Sequence, residues 1–494
     1  MRPAVVCLLL CLSPAALPQD AGIPRHPREL KFRPRPYTPP RAADHRHRLS
    51  SGATAFLVED HDFPLIQVSL LVRAGDYLES SGKTGLAGLV GSQMRSGGTK
   101  TRPPAVFDEE AAFLAANINS GMGATQGQAS LNCLSKEIDA GLELFVDMLR
   151  NPGFAEDRLK LARSQMLQGM ERRNDSTASI EGREIARLMR GERHFSTALA
   201  TKATVESITR EDLAAFHAAY YFPANFALAV SGDFETRAML AKLEKAFAGW
   251  QNRGEKIPPV PRPDHTPAPG VYLVDKKDVN QGRVRLGHLG VTRDNPDHLA
   301  IDIMNDILGG GGFTSRILSR VRSDEGLAYS AGSSFLPGVY YEGTFAVGFQ
   351  SKSATVAQAI AIVLEEIDNI RNNRVTPEEL ATEVTQAVEN LPRRFATAGA
   401  RAALFADDWL TRRPEDYWAR YSERMRALTP AEIQRVAQKY LHPEQLVILA
   451  VGHQDDIAKG NPDKPQYSMT KFGGGKPSLR IPLPDPLTMV YPKQ

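Results

Sequence analysis

The sequence predicts an α+β fold with two homologous halves, each built from a mostly antiparallel sheet with helices packed on one face. Three observations lead to this prediction: similar segments at a constant offset, short apolar strands next to amphipathic helices, and a proline-rich connector between the halves. At 494 residues the chain is also too long for one ordinary core, which favours at least two domains.

Two segments of the chain match each other in one register. The matching residues all lie 220 positions apart (429 − 209) and are Thr209 with Thr429, Tyr220 with Tyr440, Pro223 with Pro443, and Gly232 with Gly452. Each copy is typical of a Thr-capped amphipathic helix that ends at the tyrosine, a proline turn and an apolar strand that ends on glycine. This internal repeat predicts that the two halves fold alike.

The earlier parts of the two halves also correspond. Residues 65–73 and 284–289 have the pattern of strands, and each strand precedes a helix, which in the second half is predicted over 298–308. Another alternating strand surrounds Cys133, so this thiol is expected in the core rather than at a reactive site. Each half therefore runs strand, helix, strands, paired helices, helix and strand.

Composition divides the chain into six segments. They are a signal peptide (1–20), a Pro/Arg-rich arm (21–42), a first domain (43–255), a Pro-rich linker (256–270), a second domain (271–456) and an extended tail (457–494). The prolines exclude helices and inner strands from the linker, which is expected to act as a semi-rigid spacer. The arm and the tail are expected to be extended, either around a partner or as disordered chain.

The first residues have the order of a secretory signal, with a basic start, a short apolar centre and a small-residue exit. The apolar run is far shorter than the roughly 20 residues that span a bilayer, so no transmembrane segment is expected after signal removal. We therefore expect an exported protein, periplasmic or secreted, with a lipoprotein anchored at Cys11 ranked second. Cys7 and Cys11 would leave with the signal, and the remaining Cys133 cannot form an internal disulfide.

A formal charge of +3 gives no argument for a nucleic-acid partner.

The most informative segment is 85–99, with the sequence GLAGLVGSQMRSGGT. It resembles the zinc-binding helix of the pitrilysin and mitochondrial processing peptidase family, whose inverted motif is H-x-x-E-H. On that frame the two His and the Glu fall on Gly88, Ser92 and Gly91. The resemblance therefore implies a degenerate zinc motif.

Metal binding at these positions is not expected from this chain. Two His four residues apart on a helix lie on one face and reach the same Zn²⁺, and the Glu polarises the bound water. Glycine has no side chain to offer, and serine is a poor neutral ligand. The family's third ligand lies about 75 residues further on, where Glu171 is the only acid nearby.

Two segments of the second half extend the resemblance to roughly residues 43–456. The glycine-rich turn at 308–317 is LGGGGFTSRI, and VRSDEGLAYS at 321–330 is close to the family's V-R-E-x-x-G-L-A-Y-S. The resemblance implies two homologous α+β domains that form one half of a clam-shaped peptidase around an unfolded peptide. It also implies that Arg322 and Tyr329, seven positions apart, line the active site of a facing zinc-bearing half.

The resemblance gives Arg322 and Tyr329 a role in transition-state or substrate binding, since both side chains can donate hydrogen bonds to a developing oxyanion. The alternative is a surface arginine and a tyrosine at the start of a core strand. The resemblance implies substrate binding for the glycines of the turn, which are Gly309, Gly310, Gly311 and Gly312. A nucleotide loop is not expected, because no Lys-Ser/Thr signature follows them.

These observations predict a non-catalytic subunit of an exported metallopeptidase that binds no cofactor itself. Its expected partner is a catalytic, zinc-bearing homologue in a heterodimer, and the chain alone is expected to be inactive. Two alternatives stay open. One is a self-sufficient metallopeptidase with unusual ligands such as Glu171 or a nearby histidine. The other is a homodimeric peptide-binding pseudoenzyme.

Overall fold

The computed structural model describes residues 26, 30, 36–252 and 256–493. The predicted signal peptide (1–20), with Cys7 and Cys11, and most of the arm at 21–42 lie outside the described residues. The described part of the linker at 256–270 contains no helix, and its end, Gly270, begins a strand.

The first half contains a six-stranded sheet with the order β1-β2-β6-β3-β5-β4. The strands are β1 (Arg46–Arg48), β2 (Thr54–Glu59), β3 (Leu65–Val72), β4 (Asn117–Met122), β5 (Gly127–Leu134) and β6 (Phe226–Gly232). Only β2 and β6 pair in parallel, and the other neighbours are antiparallel. Cys133 lies on β5 and is buried, which confirms its expected place in the core and raises the pKa of its thiol to about 11.

The second half contains another six-stranded sheet, with the order β12-β7-β11-β8-β10-β9. The strands are β7 (Gly270–Asp275), β8 (Gln281–Leu289), β9 (Ala328–Leu336), β10 (Thr344–Lys352), β11 (Val447–Gly452) and β12 (Leu479–Ile481). The order of β7, β11, β8, β10 and β9 repeats that of β2, β6, β3, β5 and β4. The α+β class is confirmed, while the domain boundaries and the internal repeat stay predictions.

Sixteen α-helices occur in the described residues. In the first half they are α1 (Leu86–Ser96), α2 (Pro104–Phe113), α3 (Ile138–Arg150), α4 (Glu156–Glu171), α5 (Thr177–Arg190), α6 (Lys202–Ser207), α7 (Arg210–Tyr220) and α8 (Thr236–Ala246). In the second they are α9 (His298–Asn305), α10 (Arg316–Leu318), α11 (Val356–Asn372), α12 (Pro377–Glu389), α13 (Ala398–Leu410), α14 (Tyr417–Arg426), α15 (Pro430–Tyr440) and α16 (Gln454–Lys459). None of them is long and apolar enough to cross a membrane.

The two halves exchange one helix each. Helix α13 of the second half packs on β2 and β6 of the first sheet, where Phe405 lies 6.2 Å from Phe56 between ring centroids. Helix α5 of the first half packs on β8 and β11 of the second sheet, where Ile180 joins an apolar cluster with Val447 and Leu449. Each sheet therefore has part of its apolar face covered by a helix from the other half.

The exchanged helix α5 also carries buried charge. Glu181 is 2% exposed and forms ion pairs with Arg283 and Arg285 of β8. A buried carboxylate is costly unless it is paired, so the position of α5 depends on cations from the second sheet.

The predicted tail at 457–494 returns to the first half instead of leaving the molecule. After β12, which pairs in parallel with β7, Leu487 accepts a backbone hydrogen bond from Lys202 at 2.8 Å. The Tyr491 hydroxyl then donates to Glu184 of α5, whose carboxylate is fully buried. The tail therefore supplies a partner for the second buried carboxylate of α5.

Replacing Glu181 with glutamine is expected to lower the free energy of unfolding by about 3 kcal/mol, because two arginines lose their shared carboxylate. Urea denaturation of the purified chain measures the change. Glu143→Gln is the matched control, since Glu143 pairs with Arg102 at the surface and is 69% exposed. Its loss should cost less than about 1 kcal/mol. Equal effects of the two variants would contradict the role given to Glu181.

Candidate functional site

Helix α1 borders a cleft of about 700 Å³, here called the α1 cleft. The degenerate motif lies on this helix: Gly88 and Ser92 are exposed and line the cleft, whereas Gly91 is buried. Helix α4 forms another wall with Gln165 and Met166, near the offset expected for the third zinc ligand. The motif positions therefore face a real concavity, although the ligand side chains are missing from it.

The residues present do not fit a zinc ion. A Cβ atom on Gly91 would lie 2.4 Å from the backbone nitrogen of Met122 on β4, so no glutamate fits at this position without movement of the strand. Ser92 Oγ donates to the Leu89 carbonyl, and Glu171 lies outside the cleft lining. Across the described residues, no three His, Cys, Asp or Glu side chains are grouped closely enough to hold a metal.

Glycine at position 91 instead allows close packing between α1 and β4. The Ser120 hydroxyl of β4 donates to the Gly91 carbonyl at 2.6 Å, which ties the strand to the middle of the helix. Any side chain at 91 would have to displace this strand. That the chain binds no cofactor stays a prediction.

Two acids in the α1 cleft were missed in the sequence. Glu79 Oε1 accepts hydrogen bonds from the backbone nitrogens of Gly85 and Ala87, at 3.0 and 2.8 Å, and so caps α1. Burial raises the pKa of Glu79 to about 7 and also raises that of Asp76. The only signal in the sequence was an acid ahead of a helix that lacks a Ser, Thr or Asp N-cap.

The second candidate site joins the other predicted residues into one aromatic cluster, defined as Phe313, Arg322 and Tyr329. The Arg322 guanidinium carbon lies 4.8 Å from the ring centroid of Phe313 and 4.8 Å from that of Tyr329. Both rings are largely exposed, at 75% and 85%. Phe313 follows the four glycines directly, so the turn and the Arg/Tyr pair form a single surface.

Two π-helical turns shape this surface. The helix predicted over 298–308 keeps α geometry only to Asn305 and widens into a π-turn at Asp306–Gly310. Arg322 lies on the second such turn, Ser319–Asp324. Gly309 packs so closely on β9 that a Cβ would lie 2.6 Å from the Ser333 nitrogen, which explains the need for glycine there. Such turns are frequent at functional sites.

Three acids lie beneath the glycine turn. Burial, together with nearby Asp306, raises the pKa of Asp302 to about 7, although Arg394 and Arg413 act in the opposite direction. Burial raises the pKa of Asp306 to about 6 and also raises that of Glu383. Protons on these carboxyls would relieve their mutual repulsion.

The two candidate sites are separate within the chain. Neither Arg322 nor Tyr329 lines the α1 cleft. Tyr329 instead lines a groove of about 660 Å³ that crosses the face of the second sheet, together with Arg285 of β8 and Lys352 of β10. The Arg/Tyr pair therefore does not serve the chain's own degenerate motif.

Two family profiles match successive parts of the sequence. The family described as Insulinase (Peptidase family M16) matches residues 55–202, and the one described as Peptidase M16 inactive domain matches residues 207–387. The chain belongs to peptidase family M16. This confirms the resemblance that the sequence motifs had indicated.

Other M16 proteins resemble the chain over most of its length. A Helicobacter pylori protein named non-peptidase homolog YmxG is 25% identical over 350 residues, which cover 69% of this chain and 78% of its own. A solved M16 inactive domain from Pseudomonas fluorescens has a TM-score of 0.74 at 24% identity, covering 82% of this chain and 97% of its own. The solved first half of the Escherichia coli periplasmic protease PqqL has a TM-score of 0.70 at 14% identity and covers 90% of this chain and 99% of its own. At these identities the two structures share the fold.

The two glycines of the degenerate M16 motif are expected to respond oppositely to alanine. A Cβ atom at position 88 would have no neighbour within 4 Å. Gly88→Ala should therefore raise the free energy of unfolding by about 0.5–1 kcal/mol, because alanine favours the helix. Gly91→Ala should lower it by about 1–3 kcal/mol, since its Cβ overlaps the β4 backbone. Urea denaturation of the matched pair gives both values. A stabilising Gly91→Ala would show that β4 does not lie against this position.

The free energy of unfolding is expected to fall as the pH rises from 4 to 7, because of Asp302. Its carboxyl is protonated in the folded chain up to about pH 7 and ionised in the unfolded chain above about pH 4, so the folded state holds the extra proton in this range. Asp302→Asn removes that dependence and should stabilise the protein by more than about 1 kcal/mol at pH 8, with little change at pH 4. Thermal unfolding across pH tests this. The exposed Asp463→Asn is the control and should follow the wild type.

Proposed function

We propose that this M16 protein is the non-catalytic subunit of an exported metallopeptidase and pairs with a zinc-bearing homologue. In that heterodimer it forms half of a peptide-degrading chamber and contributes Arg322 and Tyr329 to the partner's active site. The single observation that carries the proposal is an Arg/Tyr pair, with a half-buried Arg322 and an exposed Tyr329, outside the chain's own degenerate cleft. A pair that does not serve its own cleft is free to serve another subunit.

The state of Arg322 supports a role in substrate or transition-state binding. Within the described residues its guanidinium forms no ion pair or side-chain hydrogen bond and contacts only the rings of Phe313 and Tyr329. Its N–H groups are therefore available to a carbonyl oxygen or an oxyanion. Preorganised donors of this kind are worth several kcal/mol when charge develops in a water-excluded site.

The edge strand β9 supports an extended peptide as the ligand. It pairs with β10 on one side only, and Tyr329 lies at its start. An extended peptide can add to such an edge through main-chain hydrogen bonds. This arrangement would place its carbonyl groups beside the aromatic cluster.

The replacement of the family's motif residues by Gly88, Gly91 and Ser92 supports a non-catalytic role, as does the likeness to a protein named a non-peptidase homolog. The secretory signal pattern at 1–20 supports export, to the periplasm or outside the cell. A shared fold with half of a periplasmic protease agrees with that location.

Proteolysis in a mixture with a zinc-bearing M16 relative from the same organism tests the proposal. The purified chain alone should cleave nothing and bind no stoichiometric zinc, and the mixture should cleave an unfolded peptide. Arg322→Ala should lower kcat of the mixture about 100-fold through the loss of a transition-state donor. Tyr329→Phe, which keeps the ring over Arg322, should have a smaller effect. Analytical ultracentrifugation should show unchanged assembly for both variants.

Arg374→Ala is the matched control, because Arg374 is exposed and has no side-chain partner among the described residues. It should leave kcat unchanged. Stoichiometric zinc in the chain alone that disappears with Glu171→Gln would favour the self-sufficient enzyme. Peptide binding by a homodimer, without acceleration by any zinc-bearing relative, would favour the binding pseudoenzyme.

A further inference from the structure

A cavity of about 920 Å³, here called the junction cavity, lies where the two halves and the linker meet. Arg73 and Asn225 from the first half line it, as do Tyr340 and Arg412 from the second half. The junction cavity shares no residue with the aromatic cluster and none with the lining of the α1 cleft. Its size is in the range of ordinary small-ligand pockets.

Arg73 is half-buried and has no carboxylate partner among the described residues. Its Nε and one Nη donate to the Leu410 carbonyl, both at 3.2 Å, and its guanidinium carbon lies 5.0 Å from the Trp409 ring centroid. These contacts hold the planar group in place and leave its second Nη without a partner. A fixed, half-buried cation without a counter-charge is a ready anion site.

Further cations at the cavity increase this positive charge. Arg412 is exposed and has no side-chain partner among the described residues. Burial lowers the pKa of the Arg73 guanidinium, and the charge of nearby Arg412 lowers it further. Lys256 and Arg262 also line the cavity, while Asp294 is its one acid. The backbone of Arg412 adopts a φ of 60°, which is unusual for a residue other than glycine.

Asn225 holds the wall of the cavity in place. It is 2% exposed, and its Nδ2 donates to the carbonyls of Arg73 and Tyr220. These two bonds tie the residue that follows β3 to the turn that precedes β6. The backbone that carries the Arg73 guanidinium is therefore fixed.

We propose that the junction cavity binds the C-terminal residue of a peptide, with its carboxylate on Arg73 and Arg412. A carboxylate is the complement of a fixed guanidinium that has one Nη group without a partner and a second cation nearby. A free amino acid fits less well, because its ammonium group would enter a cationic cavity. Phe222, Val339 and Leu410 supply apolar surface for the side chain. The choice of a peptide rests on the proposed function.

Calorimetric titration of the mature chain with N-acetyl-Ala-Leu tests the proposal, without any partner subunit. The free acid should bind at least about tenfold more tightly than the C-terminal amide, since charge-assisted hydrogen bonds are lost in the amide. Its affinity should fall as salt is raised. Equal binding of acid and amide, or no binding of either, would overturn the proposal.

Arg412→Ala should weaken binding of the acid at least about fivefold and leave the amide unaffected. Arg412 contacts nothing else through its side chain among the described residues, so the variant should keep the wild-type melting temperature. Arg426→Ala is the control, with an exposed arginine elsewhere that should leave binding unchanged.

Inorganic phosphate provides a further arm of the test. Phosphate that binds more tightly than the peptide acid would overturn the assignment to a carboxylate. Partner-dependent proteolysis is measured separately. If the mixture with the zinc-bearing relative cleaves peptides but the chain does not bind N-acetyl-Ala-Leu, only the proposal for the junction cavity is wrong. Inactive mixtures with intact peptide binding would remove the proposed function alone.

Discussion

The rest of the structure depends on the burial of charge on an exchanged helix. Helix α5 leaves the first half and lies on the second sheet, where Glu181 is neutralised by Arg283 and Arg285. Without those arginines the Glu181 carboxylate would be a buried, unpaired charge. The transfer of such a charge from water costs several kcal/mol. In the other direction, α13 covers the first sheet with the apolar residues around Phe405. The two sheets are thus held in one arrangement, and this fixes the walls of the junction cavity.

The degenerate M16 motif is part of the packing. Gly91 permits contact between α1 and β4 that a glutamate would prevent, and Ser120 has formed a hydrogen bond across that contact. A close contact between helix and strand therefore stands where the family motif has its glutamate, and a glutamate at position 91 would require movement of β4. The aromatic cluster has no such structural duty, since Phe313 and Tyr329 are mostly exposed. Cation–π contacts of this kind at an exposed site contribute only about 0.5–1 kcal/mol each.

Sequence reasoning succeeded where local pattern decides the structure. The helices predicted to end at Tyr220 and Tyr440 end there, and the strand expected from Leu65 is β3. The proximity of Arg322 and Tyr329 followed from one motif. The helix exchange depends on distant contacts and was missed. The cap that Glu79 gives to α1 and the contact of Phe313 with Arg322 are local, but they were missed as well, because they depend on the exact path of the irregular backbone between these residues. The tail gave no signal either, because its order comes from partners such as Glu184, which lies 307 residues earlier.

The distance between these partners along the chain has a consequence for the order of folding. Glu181 meets Arg285 104 residues later, and Glu184 meets Tyr491 307 residues later. The first half consequently exposes unpaired acids and an uncovered sheet until most of the second half has been translated. Contacts at such long range slow folding. The apolar core between the first sheet and its own helices can nevertheless assemble early, because every member of that core comes from the first half. Only the surfaces that exchange helices have to wait.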